Sequence, residues 1–242
     1  MNKDIKDIII LLTALLLSAI VIAGIYYRAK RIPEETPGTL KRYQLQGTPD
    51  HPAMFYPTDL TKDINLLGSS HDVFIGKVIS QTGDKETQIG PRTQYSVEVI
   101  DNIKGKLKDI VTIDMLGGYD KDGKLVVIEE NDSTDFLLKP GSTYLFATRY
   151  NEEEDWYTLI SHPNARKIIS TDNTKNEAAL MALIDQDEKV KSFESAYAHE
   201  VLLDADIAHG NTRNSFQSLA PAEKAAAQSR ADAARALLEA MQ

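Results

Sequence analysis

The chain has 242 residues, no cysteine and a formal charge of −9 at neutral pH. The missing cysteine removes disulfides, thiolate metal sites, cysteine nucleophiles and a Cys-linked lipid anchor together, which argues against a small stapled eukaryotic scaffold and for a bacterial exported protein. The acidic balance is poorly suited to nucleic acid, whose binding rests on neutralising phosphates, so none is expected as a partner.

Residues 1–7 form a short tail. Ile8 to Tyr27 is then an unbroken run of 20 uncharged, mostly apolar residues, IIILLTALLLSAIVIAGIYY. A helix of that length covers roughly 30 Å, the thickness of a bilayer's hydrocarbon core, and its backbone groups are satisfied internally. Tyr26 and Tyr27 stand where interfacial aromatics belong, and Arg28, Lys30 and Arg31 close the run. The expectation is a transmembrane helix over 8–27 that takes the lipid bilayer as partner. A signal peptide cut after Ala23 is the alternative. Positive charge is greater on the C-terminal side, which counts toward a cytoplasmic domain. A short tail before a lone span, and the translocation of long domains whatever their charge, count toward an extracytoplasmic one. The second placement is the one adopted, giving a single-pass protein of the cell membrane.

Residues 28–60 hold five of the nine prolines, Pro33, Pro37, Pro49, Pro52 and Pro57. They predict an extended stalk with little regular structure. Met54-Phe55-Tyr56 is an apolar island within it, expected to dock on the domain that follows.

Residues 61–172 read as β. His71 to Ile79 predicts a strand with Gly76 at a bulge or bend. Gln94 to Ile100 alternates with Tyr95, Val97 and Val99 on one face, and Val111 to Met115 alternates again. Asp122-Gly123 predicts a two-residue hairpin with Leu125 to Ile128 as its return arm. Pro140-Gly141 turns the chain into Thr143 to Thr148. Glu152 to Asp155 tips a last hairpin, and Trp156 to Ile160 returns. Short strands at this spacing predict a small barrel or sandwich.

Residues 173–242 read as helical. Leu180, Leu183 and Ile184 share one face; Phe193, Ala196, Tyr197 and Val201 share another. Ser218, with Pro221 close behind, predicts the start of an Ala-rich final helix. Its chief apolar groups are Leu237, Leu238 and Met241, so weak packing is expected.

Four fragments of the β region carry a likeness: Asp72 to Val78; Tyr95 to Ile100, ending at Ile103-Lys104-Gly105; Val111-Thr112-Ile113; and Leu137 to Phe146 with Pro140-Gly141 before Tyr144-Leu145. In order and spacing they resemble the netrin-like domains, the OB-type barrel shared with the tissue inhibitors of metalloproteinases, and especially bacterial membrane-anchored versions. The resemblance implies a small antiparallel OB-like β-barrel in an extracytoplasmic setting; with the predicted transmembrane helix and C-terminal helical region, the expectation is an α+β chain. Inhibitors of that family insert an N-terminal cysteine into a protease's zinc site. This chain has no cysteine, so that mechanism is not carried over, and a fold does not fix a function.

No motif fixes a chemistry. His199-Glu200-Val201-Leu202-Leu203 has Leu203 where a zinc-hydrolase helix needs its second His. His199, His209, Asp204 and Asp206 read more readily as solvated polar positions than as a metal set. Asp120-Lys121-Asp122-Gly123 reads as a turn rather than a calcium loop. Gly68-Ser69-Ser70-His71 sets Ser beside His without the G-x-S-x-G elbow. No cofactor is expected. Lys77, Arg92, Tyr95, Tyr119, Trp156 and Tyr157 form the candidate interaction surface. The resulting reading is a membrane-tethered extracytoplasmic binding module without catalytic activity, facing a protein or envelope partner. Two alternatives stay open: a structural subunit assembling through the C-terminal helices, and an envelope hydrolase using His199, His209 and nearby carboxylates.

Overall fold

A computed structural model describes residues 40–44, 57–87, 89–123, 125–129, 137–171 and 176–241. The predicted anchor, most of the stalk and the Met54-Phe55-Tyr56 island lie outside them. Among the described residues, no helix is long and apolar enough to cross a membrane.

The strands are β1 (Leu40–Gln44), β2 (Asp72–Thr87), β3 (Gly90–Lys104), β4 (Ile110–Leu116), β5 (Gly118–Tyr119), β6 (Leu125–Glu129), β7 (Thr143–Asn151), β8 (Trp156–Leu159) and β9 (Arg166–Ser170). The helices are α1 (Asp63–Ser69), α2 (Glu177–Gln186), α3 (Glu188–Tyr197), α4 (Asp204–Ala208) and α5 (Pro221–Ala240). The chain is α+β, with a mixed sheet followed by C-terminal helices.

The first half of β2 pairs on both edges, with β3 and with β7. Its residues Val73, Phe74 and Ile75 are accordingly inaccessible to solvent. The pairing steps across a bulge between Ile75 and Gly76, as expected, and a Cβ on Gly76 would stand 2.5 Å from Val97 Cγ1. Beyond Ile79 the strand continues to Thr87, paired with β3 alone. That outer half (Ser80-Gln81-Thr82-Gly83-Asp84-Lys85-Glu86-Thr87) has no buried face, so it lacks the alternation that marks a strand in sequence.

β3 alternates over Pro91, Thr93, Tyr95 and Val97, all buried. It pairs antiparallel with β4. β4 then pairs with β8 in parallel, Ile113 opposite Tyr157 and Asp114 opposite Thr158. The expectation of a wholly antiparallel sheet is therefore corrected. The long connection holding β5 to β7 brings β8 back beside β4 in the same direction, as parallel pairing requires. β7 pairs with β8 on one edge and with β2 on the other, and β9 joins β7 beyond β8.

A second, three-stranded sheet has the order β1-β6-β5. β1 runs parallel to β6, so regular structure reaches into the predicted stalk. Leu40-Lys41-Arg42-Tyr43-Gln44 holds no proline, and every backbone N–H in it is free to pair. β5 and β6 pair with Tyr119 opposite Leu125, so the loop at Asp122-Gly123 is longer than the two residues expected. Gly123 N–H closes a turn on Asp120 O at 2.9 Å.

The helices share the strands' core. Ile184, Val190, Phe193 and Tyr197 belong to one apolar cluster with Phe74, Tyr95 and Phe146. Asn176 caps α2 by accepting from Ala179 N–H at 2.8 Å, and Asp187 caps α3 by accepting from Lys189 and Val190. α3 ends at Tyr197, so Val201 leaves the helix and is exposed. The N-cap of α5 is Ala220 rather than Ser218, with Pro221 at the first position. The buried residues of α5 are Ala231 and Ala234, while Leu237 and Met241 face solvent. Small side chains, not the large ones, bring this helix in.

Candidate functional site

Strand register sets one polar assembly. Lys85 stands opposite Arg92 across β2 and β3, and Gln94 opposite Asp114 across β3 and β4. Arg92 Nε donates to Asp114 Oδ2 at 2.6 Å, and its Nη2 pairs with the same carboxylate. Asp114 is fully buried. The β2–β3 arm meets the β7–β8 hairpin here: Lys85 Nζ lies 2.8 Å from Glu154 Oε1 and 5.4 Å from the Trp156 ring centroid. Asp114 Oδ1 and Trp156 Nε1 are both buried without a hydrogen-bond partner among the described residues. Buried polar atoms of that kind call for explanation, because leaving them unmatched costs free energy.

The predicted interaction residues divide. Arg92 and Trp156 belong to this assembly. Tyr157, next along β8, points to the opposite face, its ring 5.1 Å from that of Tyr150. Tyr119 is half-buried on β5. Lys77 stands opposite Glu98, six residues along β3 from Arg92, roughly 20 Å away. Tyr95 is corrected: it is 1% exposed and packs in the core, because the β3 alternation turns it inward. Burial there pushes its phenol pKa upward. Lys85, Asp114 and Glu154 were missed. Lys85 falls in the polar half of β2, and Asp114 occupies an outer position that other elements happen to cover.

A second assembly joins the C-terminal segment to the sheet. Asp72, at the start of β2, accepts from Asn214 Nδ2 at 2.8 Å through Oδ1, and Arg213 Nε lies 3.6 Å from its Oδ2. Arg213 also covers the Tyr150 ring at 4.4 Å. Burial raises the Asp72 carboxyl to about 6. Gly105 makes room for it: φ is +99°, and a Cβ would stand 2.2 Å from Asp72 Oδ1. His71 Nδ1 accepts from Tyr150 N–H at 3.1 Å. Burial, then the charge of Arg149, lowers the imidazole to about 4. Arg149 forks onto Asp206 at 2.8 and 2.9 Å. Its hydrogen bonds hold the Asp206 carboxyl below the usual range. Lys104 and Glu200 complete the set as a buried ion pair.

This assembly absorbs most of the polar residues that the sequence offers for chemistry. Ser70 Oγ donates to Leu66 O at 2.6 Å rather than to His71. His209 Nδ1 lies 2.7 Å from Ala205 O, and Arg235 reaches the ring of His199 at 3.1 Å. Among the described residues, no three His, Asp or Glu side chains gather as a metal-ligand set. Glu200 and Asp206 are both held by cations.

No protein-family model and no curated protein matches the chain.

Proposed function

We propose that the chain is a membrane-tethered, extracytoplasmic binding module whose β domain is an OB-type barrel. The strand pairings support the barrel: β2-β3-β4-β8-β7 pair in sequence, and β7 returns to β2. The run Ile8–Tyr27 supports the tether. One observation carries the binding reading. Arg92 is paired with Asp114 beside the place where Lys85 joins the β2–β3 arm to Glu154 and Trp156 of the β7–β8 hairpin, and among the described residues a carboxylate oxygen of Asp114 and the Trp156 indole N–H are buried without partners. The exposed Lys85–Glu154 ion pair and the Trp156 ring beside it present charge and an aromatic face able to orient a ligand.

A cysteine placed at Glu153, on the exposed β7–β8 tip, tests both parts in the cysteine-free full-length chain. With a membrane-impermeant maleimide, labelling of intact cells is expected; labelling only after lysis overturns the extracytoplasmic placement. With a benzophenone maleimide at the same cysteine, illumination is expected to give a discrete adduct that weakens with Lys85→Ala and Arg92→Ala. No adduct, or one indifferent to both, overturns the binding face. A second reading, assembly through the C-terminal helices, draws on the exposed Leu237 of α5 and Met241 just beyond its end. In that case deleting residues 219–242 abolishes assembly.

A further inference from the structure

Asp72 is a fully buried carboxylate of which one oxygen is satisfied. Its Oδ1 accepts from Asn214 Nδ2 at 2.8 Å. Its Oδ2 is buried without a hydrogen-bond partner among the described residues. The cation facing that oxygen is Arg213, whose Nε stands 3.6 Å away, beyond hydrogen-bond reach. Arg92, Arg149 and Arg230, by contrast, each donate to a carboxylate oxygen at 2.9 Å or less. The other cations near Asp72 are already matched, Arg149 by Asp206 and Lys104 by Glu200. A buried carboxylate oxygen without a donor costs free energy, so a better-placed cation would be favoured here.

Arg213 nevertheless sits in a shaped place. Its guanidinium carbon lies 4.4 Å from the centroid of the Tyr150 ring. The Tyr157 ring is 5.1 Å from that of Tyr150. Burial raises the Tyr157 phenol pKa and Arg213 opposes that rise, so the guanidinium faces this side chain as well. The Tyr150 hydroxyl is fixed by donating to Asp155 Oδ1 at 2.7 Å. A carboxylate behind and aromatic rings beside are the surroundings that hold a flat cation. Arg213 enters them from the connection between α4 and α5, and its side chain is 39% exposed. It can therefore swing into solvent while the strands stay packed. The acidic turn Glu152–Asp155 next to Tyr150 favours the approach of positive charge.

We propose that Asp72, Tyr150 and Tyr157 form a receptor for the guanidinium of an arginine carried by a partner protein, and that Arg213 fills it in cis until the partner's arginine displaces it. The occupant already in place identifies the chemistry. An external arginine that reaches Asp72 Oδ2 at hydrogen-bond distance satisfies the oxygen that Arg213 leaves unmatched, which gives it an advantage over the cis residue. While Arg213 is seated, the apparent affinity is reduced by the fraction of molecules that are open. Tyr157 and Trp156 point to opposite faces of β8, so the receptor is separate from the Arg92 face.

The test uses the full-length protein in detergent and follows unfolding by the fluorescence of Trp156, the one tryptophan of the chain. The probe is N-acetylarginine amide, which mimics an arginine within a polypeptide. A ligand that binds the folded state raises Tm by mass action. Arg213→Ala, which no longer fills its own receptor, is expected to gain about 2 °C or more at a probe concentration that gives the unaltered protein a smaller but measurable rise. The citrulline analogue, of the same shape without the charge, is expected to shift neither. Asp72→Asn or Tyr150→Leu, added to Arg213→Ala, is expected to remove the response, and the two partners keep the test open should one variant not fold. No response in Arg213→Ala overturns the receptor, and none in the unaltered protein overturns displacement. An equal response to N-acetyllysine amide overturns the guanidinium and assigns a simple cation site. Free arginine acting as strongly as the amide overturns a partner protein as the source. The adduct at the Glu153 position is judged by Lys85 and Arg92, which belong to the other face, so the two proposals fall separately.

Discussion

Lys104 and Glu200, 96 residues apart, form an ion pair at 2.5 Å with side chains only 1% and 3% exposed. Lys104 ends β3, and Glu200 lies in the segment after α3. Lys104 Nζ also donates to Leu67 O at 2.8 Å, and Glu200 Oε1 accepts from Phe216 N–H at 2.5 Å. One pair therefore ties together α1, β3 and the chain leading into α5. Burial lowers the Lys104 pKa and raises that of Glu200, each opposed by the partner's charge.

Removing one partner leaves the other charged and buried. Lys104→Met is expected to cost about 4 kcal/mol, more than the pair's net worth. In Lys104→Met/Glu200→Gln the amide oxygen still accepts from Phe216, no charge is stranded, and most of the loss is recovered. Urea denaturation of the two variants decides it. Equal losses would mean that Lys104 acts through packing rather than charge.

Backbone proximity makes Gly68 a second joint. Its Cβ position lies 1.8 Å from Val201 O, a main-chain atom that cannot swing away, while Val201 N–H donates to Ile64 O at 3.0 Å. Gly68→Ala is expected to lower stability by about 3 kcal/mol. Gly123→Ala is the comparison: φ is +72° with nothing within 4 Å, so the cost is about 1 kcal/mol, from backbone strain alone. Calorimetric Tm values are expected to fall in that order.

Arg230 fastens α5. It donates to Glu194 Oε1 at 2.6 Å, Asn102 O at 2.8 Å and Asp101 Oδ2 at 2.5 Å, reaching α3 and β3 at once. A lysine has no fork to span three acceptors. Arg230→Lys is expected to lose about 2 kcal/mol and to expose α5 to chymotrypsin before the strands are cut. Cleavage of strands and helix at one rate would show that α5 does not open separately.

What sequence could show followed burial. β3 was legible because Tyr95, Val97 and Val99 repeat at period two, and β4 likewise. The outer half of β2 was not, since Ser80 to Thr87 pairs without a buried face. The anchoring of α5 was also hidden. Ala231 and Ala234 look like generic helix formers, and Arg230 like a surface charge, until Asp101 and Glu194 are brought beside them. The Arg92–Asp114 pair spans two strands whose register no local pattern specifies. Asn214 reaches Asp72 from a residue at φ +55°, which sequence does not announce.

His71 and Asp72 carry opposite pH dependences. For His71, about 4 when folded against 6.5 as the reference, the unfolded chain binds the extra proton between those values, so stability rises with pH there. For Asp72, about 6 when folded against 3.8, the folded chain holds the extra proton, so stability falls as pH rises from 3.8 to 6. Each displacement corresponds to about 3 kcal/mol, and between pH 4 and 6 they nearly cancel. His71→Gln is expected to unmask the fall, and Asp72→Asn the rise. The surrounding Lys104, Arg149, Asp206 and Arg213 are common to both variants, so the difference between the two stability profiles isolates the pair. Parallel profiles across pH 4 to 6 would show that neither group titrates as its burial dictates, and that the C-terminal segment already admits water at Asp72.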